Sequence, residues 1–372
     1  MPSSVSPQVI LLRKMVELYS PTGQESGIAQ LLEEEMRSLG LRSRIDEAGN
    51  VIGEYSGNGP TILLCGHMDT VPGRLPVKLS RKKLYGRGAV DAKSALATMI
   101  STAGILAAEG FAAKLIVVGA VDEEGKSRGI KNLIERGIRA DYAVFAEPSG
   151  VENITIAYKG SCHLRITCRT KTGHSSAPWL FHSAVDVALD IWKGLQKIHF
   201  PEEKSDSRFQ SVTSALTHIC GGGPSSTIPS FCELHLDFRL PPAVPSKRLL
   251  EEVSKTVDAY RLAHPHAELD VEVQDSCEPY EADRDSALVR GLAWGIRHVR
   301  GKPAVLLRKT GTGDMNLLGN ALHVPMVTYG PGDSKLDHTD GEHIHLDEYL
   351  DSIKVLREGL LRTLELLNRS SK

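Results

Sequence analysis

Short apolar runs separated by longer helical patterns constrain this chain more than any other feature. Thr61 to Cys65, Leu115 to Val118 and Tyr142 to Phe145 are bounded by Gly, Pro or Asp, and helical patterns lie between them from about Lys93 to Glu109 and near Ile130 to Arg136. Strand-length apolar runs joined by helix-length connections predict βαβ units, and hence a mostly parallel sheet covered on both faces. Upstream, apolar residues recur at helical spacing from Gln8 to Leu39, interrupted by Ser20-Pro21-Thr22-Gly23. That pattern reads as two helices with a turn between them.

Around Ile154 the pattern changes. Cys162 to Thr170 and Phe231 to Leu240 alternate like half-exposed strands, and Ala184 to Leu195 is helical. Strand and helix patterns resume with Val289 to Val299, Val305 to Leu307, Val324 to Tyr329 and a final helix from about Leu346 to Leu367. A chain of 372 residues exceeds what one core usually holds. The expected fold is therefore α/β, a mostly parallel sheet flanked by helices, with an inserted α+β domain. The expected division is residues 1–157 and 276–372 for the catalytic domain and 158–275 for the insert.

Lys and Arg total 44 against 46 Asp and Glu, a formal charge of -2, so no bulk nucleic-acid or membrane surface is expected. The first fifteen residues hold Pro2 and Pro7 and no apolar leader core, and no run approaches the roughly 18 apolar residues of a spanning helix. A cytoplasmic protein is the expectation. The six cysteines (65, 162, 168, 220, 232 and 277) form no CxxC pair and read as buried free thiols.

Chemistry gathers at the strand ends. GHMDTVPG, Gly66 to Gly73, follows the first apolar run and carries His67 and Asp69; taken alone it could be an ordinary polar strand end. In GRGAVDAKS, Asp91 stands where a helix should begin, a position that favours a carboxylate. Glu123 and Glu124 follow the second run. Adjacent side chains on extended backbone point to opposite sides, so one can bind metal while the other handles a proton. Glu147 ends the third run, and GPGDSKLDHTDGEHIH after Val324 to Tyr329 offers His338, His343 and His345. In an open parallel sheet such ends converge on one edge. Carboxylates gathered there repel one another unless cations join them, and mixed histidine and carboxylate donors suit zinc or a similar transition metal.

GHMDTVPG, GRGAVDAKS, VDEEG, AEPS, GHSSAP (Gly173 to Pro178) and DHTDGE stand in an order and spacing that resembles the M20 family of co-catalytic metallohydrolases, over essentially the whole chain. The resemblance implies His67, Asp91 and Glu147 as ligands of one divalent ion and Asp91, Glu124 and His338 as ligands of a second, Asp91 bridging. The ions would be Zn2+, with Co2+ as the alternative. It implies Glu123 as general base, Asp69 as the support of the His67 ring, and a cis peptide at Asp91-Ala92. His343 and His345 then fall outside the ligand set. The insert would serve dimerisation or act as a lid, in a homodimer in which His174 reaches the partner's active site and stabilises an oxyanion. Arg239 would hold a substrate carboxylate, a task suited to its planar fork. Thr227 occupies a place where the family often carries Asn, so a substrate contact from that residue type is not expected here.

Within the family, KTGTGDMNLLG (Lys309 to Gly319), YGPGDSKLDHT and DEEGKSRGIKNLI look most like the branch that releases lysine or ornithine from the amino-group carrier protein LysW. The bond cut there joins the amino acid's amine to the side-chain carboxyl of the carrier's C-terminal Glu. Thr310, Thr312 and Asp314 become candidate substrate contacts, and Lys126, Arg128, Arg308 and Lys309 candidates for steering an acidic carrier. Deacylation of acetylornithine or succinyl-diaminopimelate, dipeptidase or carboxypeptidase activity, and a non-catalytic role in binding peptides or amino acids are the rival readings.

Overall fold

The computed structural model describes residues 6–80, 82–204 and 206–370; Met1–Val5, part of the stretch read for a leader, lie outside them. It contains two compact units: one takes the chain up to Ala157, Ala282–Arg308 and Gly313 onward, the other Tyr158–Glu281 with Lys309–Thr312. Among the described residues no helix is long and apolar enough to cross a membrane.

The first unit opens with α1 (Pro7–Glu17) and α2 (Ser26–Ser38), then β1 (Arg42–Ile45), β2 (Val51–Tyr55), β3 (Thr61–His67), β4 (Lys78–Ser80), β5 (Lys83–Tyr85), α3 (Lys93–Ala108), β6 (Lys114–Ala120), α4 (Arg128–Glu135), β7 (Tyr142–Ala146) and β8 (Asn153–Tyr158). Pro7 at the first turn and the Ser6 hydroxyl, which accepts from Val9 N, start α1 as helix chemistry prescribes. The second unit holds β9 (Gly160–Arg169), β10 (Gly173–His174), α5 (Ala184–Leu195), β11 (Thr213–Gly221), β12 (Thr227–Ile228), β13 (Phe231–Leu240), α6 (Ser246–Ala263), β14 (Glu268–Cys277) and β15 (Tyr280–Glu281). The chain then returns with α7 (Ala287–Arg300), β16 (Val305–Lys309), α8 (Asp314–Leu322), β17 (Met326–Thr328), β18 (His343–His345) and α9 (Leu346–Ser370).

In the first unit the strands run in the order β1-β2-β6-β3-β7-β17-β8, with β16 also pairing β8. The centre is parallel: β3 with β6 and β7, and β17 with β7. The margins are antiparallel, at β1 with β2, β2 with β6, and β17 with β8. Ile62, Leu63, Leu64 and Cys65 on β3 are fully buried, the signature of a strand covered on both faces. The helix over the centre, α3, is buried almost all round, which is why its sequence is apolar on every side. Gly66, near the end of β3, has no room for a side chain: a Cβ there would stand 2.5 Å from the Ala146 Cβ of β7.

The second unit is a four-stranded antiparallel sheet, β11-β13-β9-β14. Leu164, Ile166 and Cys168 of β9 and Leu234, Leu236 and Phe238 of β13 pack with Val187 and Ile191 of α5 and with Leu249, Val253 and Val257 of α6. The alternation in the sequence thus has one face on helices and one face open. All six cysteines are free, and four are buried; Cys277 is half-buried and Cys220, on the edge strand β11, is exposed, which corrects the expectation of uniform burial.

Candidate metal centre

Parallel pairing brings the ends of β3, β6 and β7 to one edge, with β6 and β7 on opposite sides of β3. That is a switch point in the strand order, where open sheets leave a crevice. His67 is the last residue of β3, Glu123 and Glu124 follow β6, and Glu147 follows β7. Asp91 precedes α3, across a cis Asp91–Ala92 peptide. His338 lies between β17 and β18, with left-handed backbone at φ 62.

His67 Nε2 stands 3.3 Å from Asp91 Oδ1 and 3.6 Å from Glu147 Oε1. On the other side of the same aspartate, His338 Nε2 is 2.9 Å from Asp91 Oδ2 and 2.9 Å from Glu124 Oε1. Two trios result, His67-Asp91-Glu147 and Asp91-Glu124-His338, each with donor atoms within 4.8 Å of one another and each using a different oxygen of Asp91. His343 and His345 pair with β5 as part of β18, and His343 Nε2 is 3.0 Å from Lys83 Nζ.

Asp69 is fully buried and does more than face a ring. Its main-chain carbonyl lies 3.0 Å from His67 Nδ1, closer than its carboxylate at 3.4 Å. A proton on Nδ1 bonds there and leaves the Nε2 lone pair facing Asp91 and Glu147. The Asp69 carboxylate accepts from the amides of Glu123 (3.1 Å) and Glu124 (3.2 Å) and from the Thr22 hydroxyl (2.8 Å). At the start of the same loop, Asp122 accepts from the amides of Lys126 and Arg128 and so leads into α4.

The electrostatics show a centre short of positive charge. Burial raises the Glu123 carboxyl well above its usual range, with Glu147, Asp314 and Glu124 adding to it. Burial and the Asp91 charge raise Glu124 as well. Hydrogen bonding to Asp91 lifts His338 to about 9. Burial opposes a charge on His67, yet Asp69, Asp91, Glu147 and Glu123 together raise it well above the ordinary histidine value. Each trio offers one imidazole and two carboxylates, a donor set that fits a divalent transition ion, and such ions would meet the charge that the two histidine protons meet only in part.

A buried pair backs this centre, made by Glu342, the Glu of DHTDGE, and Arg87, which the sequence alone does not single out. Glu342 Oε1 accepts from the amides of Val90 (2.9 Å) and Asp91 (3.2 Å), and its Oε2 pairs with Arg87 Nη1 at 2.9 Å. The signal was present in the GRG and DGE letters that flank Asp91 and His338. Asp314 is also in this unit, where it opens α8 and is buried. Burial lifts its carboxyl to about 7, against the pull of Ser127 and His67. A Cβ on Gly313 would lie 3.7 Å from Glu123 Oε1, so the start of α8 runs beside that carboxylate.

Arg239, Thr310, Thr312 and His174 belong to the second unit. Arg239 and Thr312 come together, Nη1 donating to Thr312 Oγ1 at 3.1 Å, while Nε and Nη2 donate to Asp237. Thr310 is exposed. His174 is exposed on β10, which pairs it with Thr227 on β12. Its Nδ1 is 2.8 Å from Ser176 Oγ and 3.1 Å from Ser176 N; a neutral ring that accepts from Ser176 N carries its proton on Nε2. Of the steering candidates, Lys126, Arg128 and Arg308 are exposed and Lys309 is half-buried. Arg128 donates to Ala48 O, and Lys309 Nζ is 5.9 Å from the Tyr158 ring centre.

A model of peptidase family M20/M25/M40 matches residues 63–362. The chain is 34% identical over 341 residues to a LysW-lysine/LysW-ornithine hydrolase of Sulfurisphaera tokodaii, covering 91% of this chain and 90% of that one. It is 34% identical over 365 residues to a LysW-lysine hydrolase of Deinococcus radiodurans, covering 95% and 96%. Among solved structures it resembles aminopeptidase PepT from Bacillus cereus, with a TM-score of 0.80 at 21% identity over 96% of this chain and 98% of that one.

Proposed function

Because the chain belongs to peptidase family M20/M25/M40, we propose that it is a metal-dependent amide hydrolase that releases lysine or ornithine from a LysW-type carrier protein. The observation that carries the hydrolytic reading is Asp91, whose two oxygens face His67 Nε2 at 3.3 Å and His338 Nε2 at 2.9 Å. One carboxylate addressing two histidines in opposite directions suits a bridging ligand. The carrier reading rests on the hydrolases named above, matched over at least nine-tenths of this chain and of theirs.

His67, Asp91 and Glu147 would hold one divalent ion, and Asp91, Glu124 and His338 the other, most simply Zn2+. Ions held there supply Lewis acidity to the amide carbonyl and lower the pKa of water towards about 7. Glu123 is the base: it takes the proton from the attacking water and returns it to the departing amine nitrogen. Asp69 keeps Glu123 and Glu124 in register by accepting from both amides and, through its carbonyl, holds the His67 ring. Arg239, oriented by Asp237 and Thr312, holds the substrate carboxylate, and Thr310 and Asp314 complete the contacts. The protein acts as a homodimer in which His174, with its Nε2 proton outward, donates to the oxyanion formed in the partner's site.

The test is to offer the metal-loaded protein carrier-linked lysine, carrier-linked ornithine, N-acetylornithine, succinyl-diaminopimelate and a dipeptide side by side. The carrier-linked substrates are expected to give the highest kcat/KM. Preference for a small acyl amino acid or a dipeptide would overturn the carrier assignment and leave the hydrolytic chemistry standing.

A further inference from the structure

Arg87 and Glu342 are 7% and 1% exposed, and a buried ion pair is by itself weak evidence for stability. Where their other hydrogen bonds go is more telling. Glu342 receives the amides of Val90 and Asp91 on one oxygen and Arg87 on the other. Arg87 also donates through Nη1 to Thr339 O (3.3 Å), next to His338, and through Nε to Gly73 O (3.0 Å), at the end of the segment that His67 begins. The main chain joins the same two segments again, since Gly86 N donates to Glu342 O and β5 pairs with β18. The pair therefore holds the main chain at Asp91 and at Thr339, the residue after His338, and the Asp91 and His338 side chains meet at 2.9 Å.

We propose that Arg87 and Glu342 form a positioning brace that sets the Asp91 carboxylate against His338, and so governs filling of the Asp91-Glu124-His338 ion site more than that of the His67-Asp91-Glu147 site. The brace rests on the two-ion reading above. It touches no substrate; it acts through the main chain of residues 90–91 and 339. In Glu342→Gln the single carbonyl oxygen can stay on the two amides only with the NH2 group turned towards Arg87, so the substitution loosens the Arg87 side selectively. Arg87→Lys keeps the charge and loses the fork that reaches Glu342, Thr339 and Gly73 together.

Calorimetric titration of the metal-free full chain with Co2+, alongside its visible absorption, reads the two sites separately from turnover. Wild type is expected to take two ions. Glu342→Gln is expected to bind the first with unchanged affinity and the second about tenfold or more weakly, the usual reach of residues that orient ligands. At limiting Co2+ kcat falls while KM stays within about twofold, and excess Co2+ restores kcat. Arg87→Lys is expected to show the same split more mildly, and it decides by the same criteria if Glu342→Gln does not fold. Unchanged affinities, or equal weakening of both ions, would overturn the brace. A wild-type protein that takes fewer than two ions would sink the two-ion reading and the brace with it.

Discussion

At the residue scale the centre depends on groups that do different jobs from adjacent positions. Glu123 and Glu124 share a loop whose amides both end on Asp69, yet only Glu124 comes within 2.9 Å of His338. With Glu123 as the base, Glu123→Gln should lower kcat by roughly 10²–10⁴-fold, the range that a positioned base contributes, while the protein still takes up its ions. Near-normal kcat in that variant would remove Glu123 from the role. Much of this was legible in the letters, because each donor follows a short apolar run or opens a helix. The division of labour within Asp69 was not. His67 leans on the Asp69 carbonyl, and the carboxylate serves a loop some fifty positions away in the chain, a relation that no local pattern encodes.

At the scale of elements, β3 and β7 fit closely where Gly66 faces Ala146. Gly66→Ala should push those strands apart and cost about 1–3 kcal/mol, as overpacking in a filled core does. Thermal unfolding of the metal-free protein measures this, and adding Ala146→Gly should recover most of the loss; full stability in Gly66→Ala would show that the strands can yield. The strands of the parallel centre were readable because burial on both faces makes them continuously apolar. The β1–β2 hairpin was not, since Arg42–Ile45 is a charged margin strand with little buried surface. β11 escaped for the same reason: its side chains are mostly exposed, and its pairing with β13 slips at Leu216/His218. The start of α8 was not legible either, because Gly311 and Gly313 stand before it, although Gly313 is the residue that caps it.

At the scale of the whole molecule, the proposed dimer makes a quantitative demand. If His174 serves the partner's site, mixing His174→Ala with Glu123→Gln chains should restore activity that neither has alone. Random pairing gives hybrids in half of the dimers, each with one intact site of two, so about a quarter of wild-type turnover is expected. No recovery after subunit exchange, shown by mass to have occurred, would place His174 in its own chain's site or outside catalysis. The chain's two-part division also bears on its synthesis. β17 lies between β7 and β8 in the sheet, but it is made only after the whole second unit has been threaded out. At the roughly 5–20 residues per second of translation, the apolar edge of Tyr142–Ala146 waits on the order of 10–40 s for its neighbour, and His338 emerges later still. Through that interval the nascent chain carries an unpaired, aggregation-prone strand edge. Cellular yield should thus respond to changes within residues 158–281 that never alter the finished enzyme's turnover.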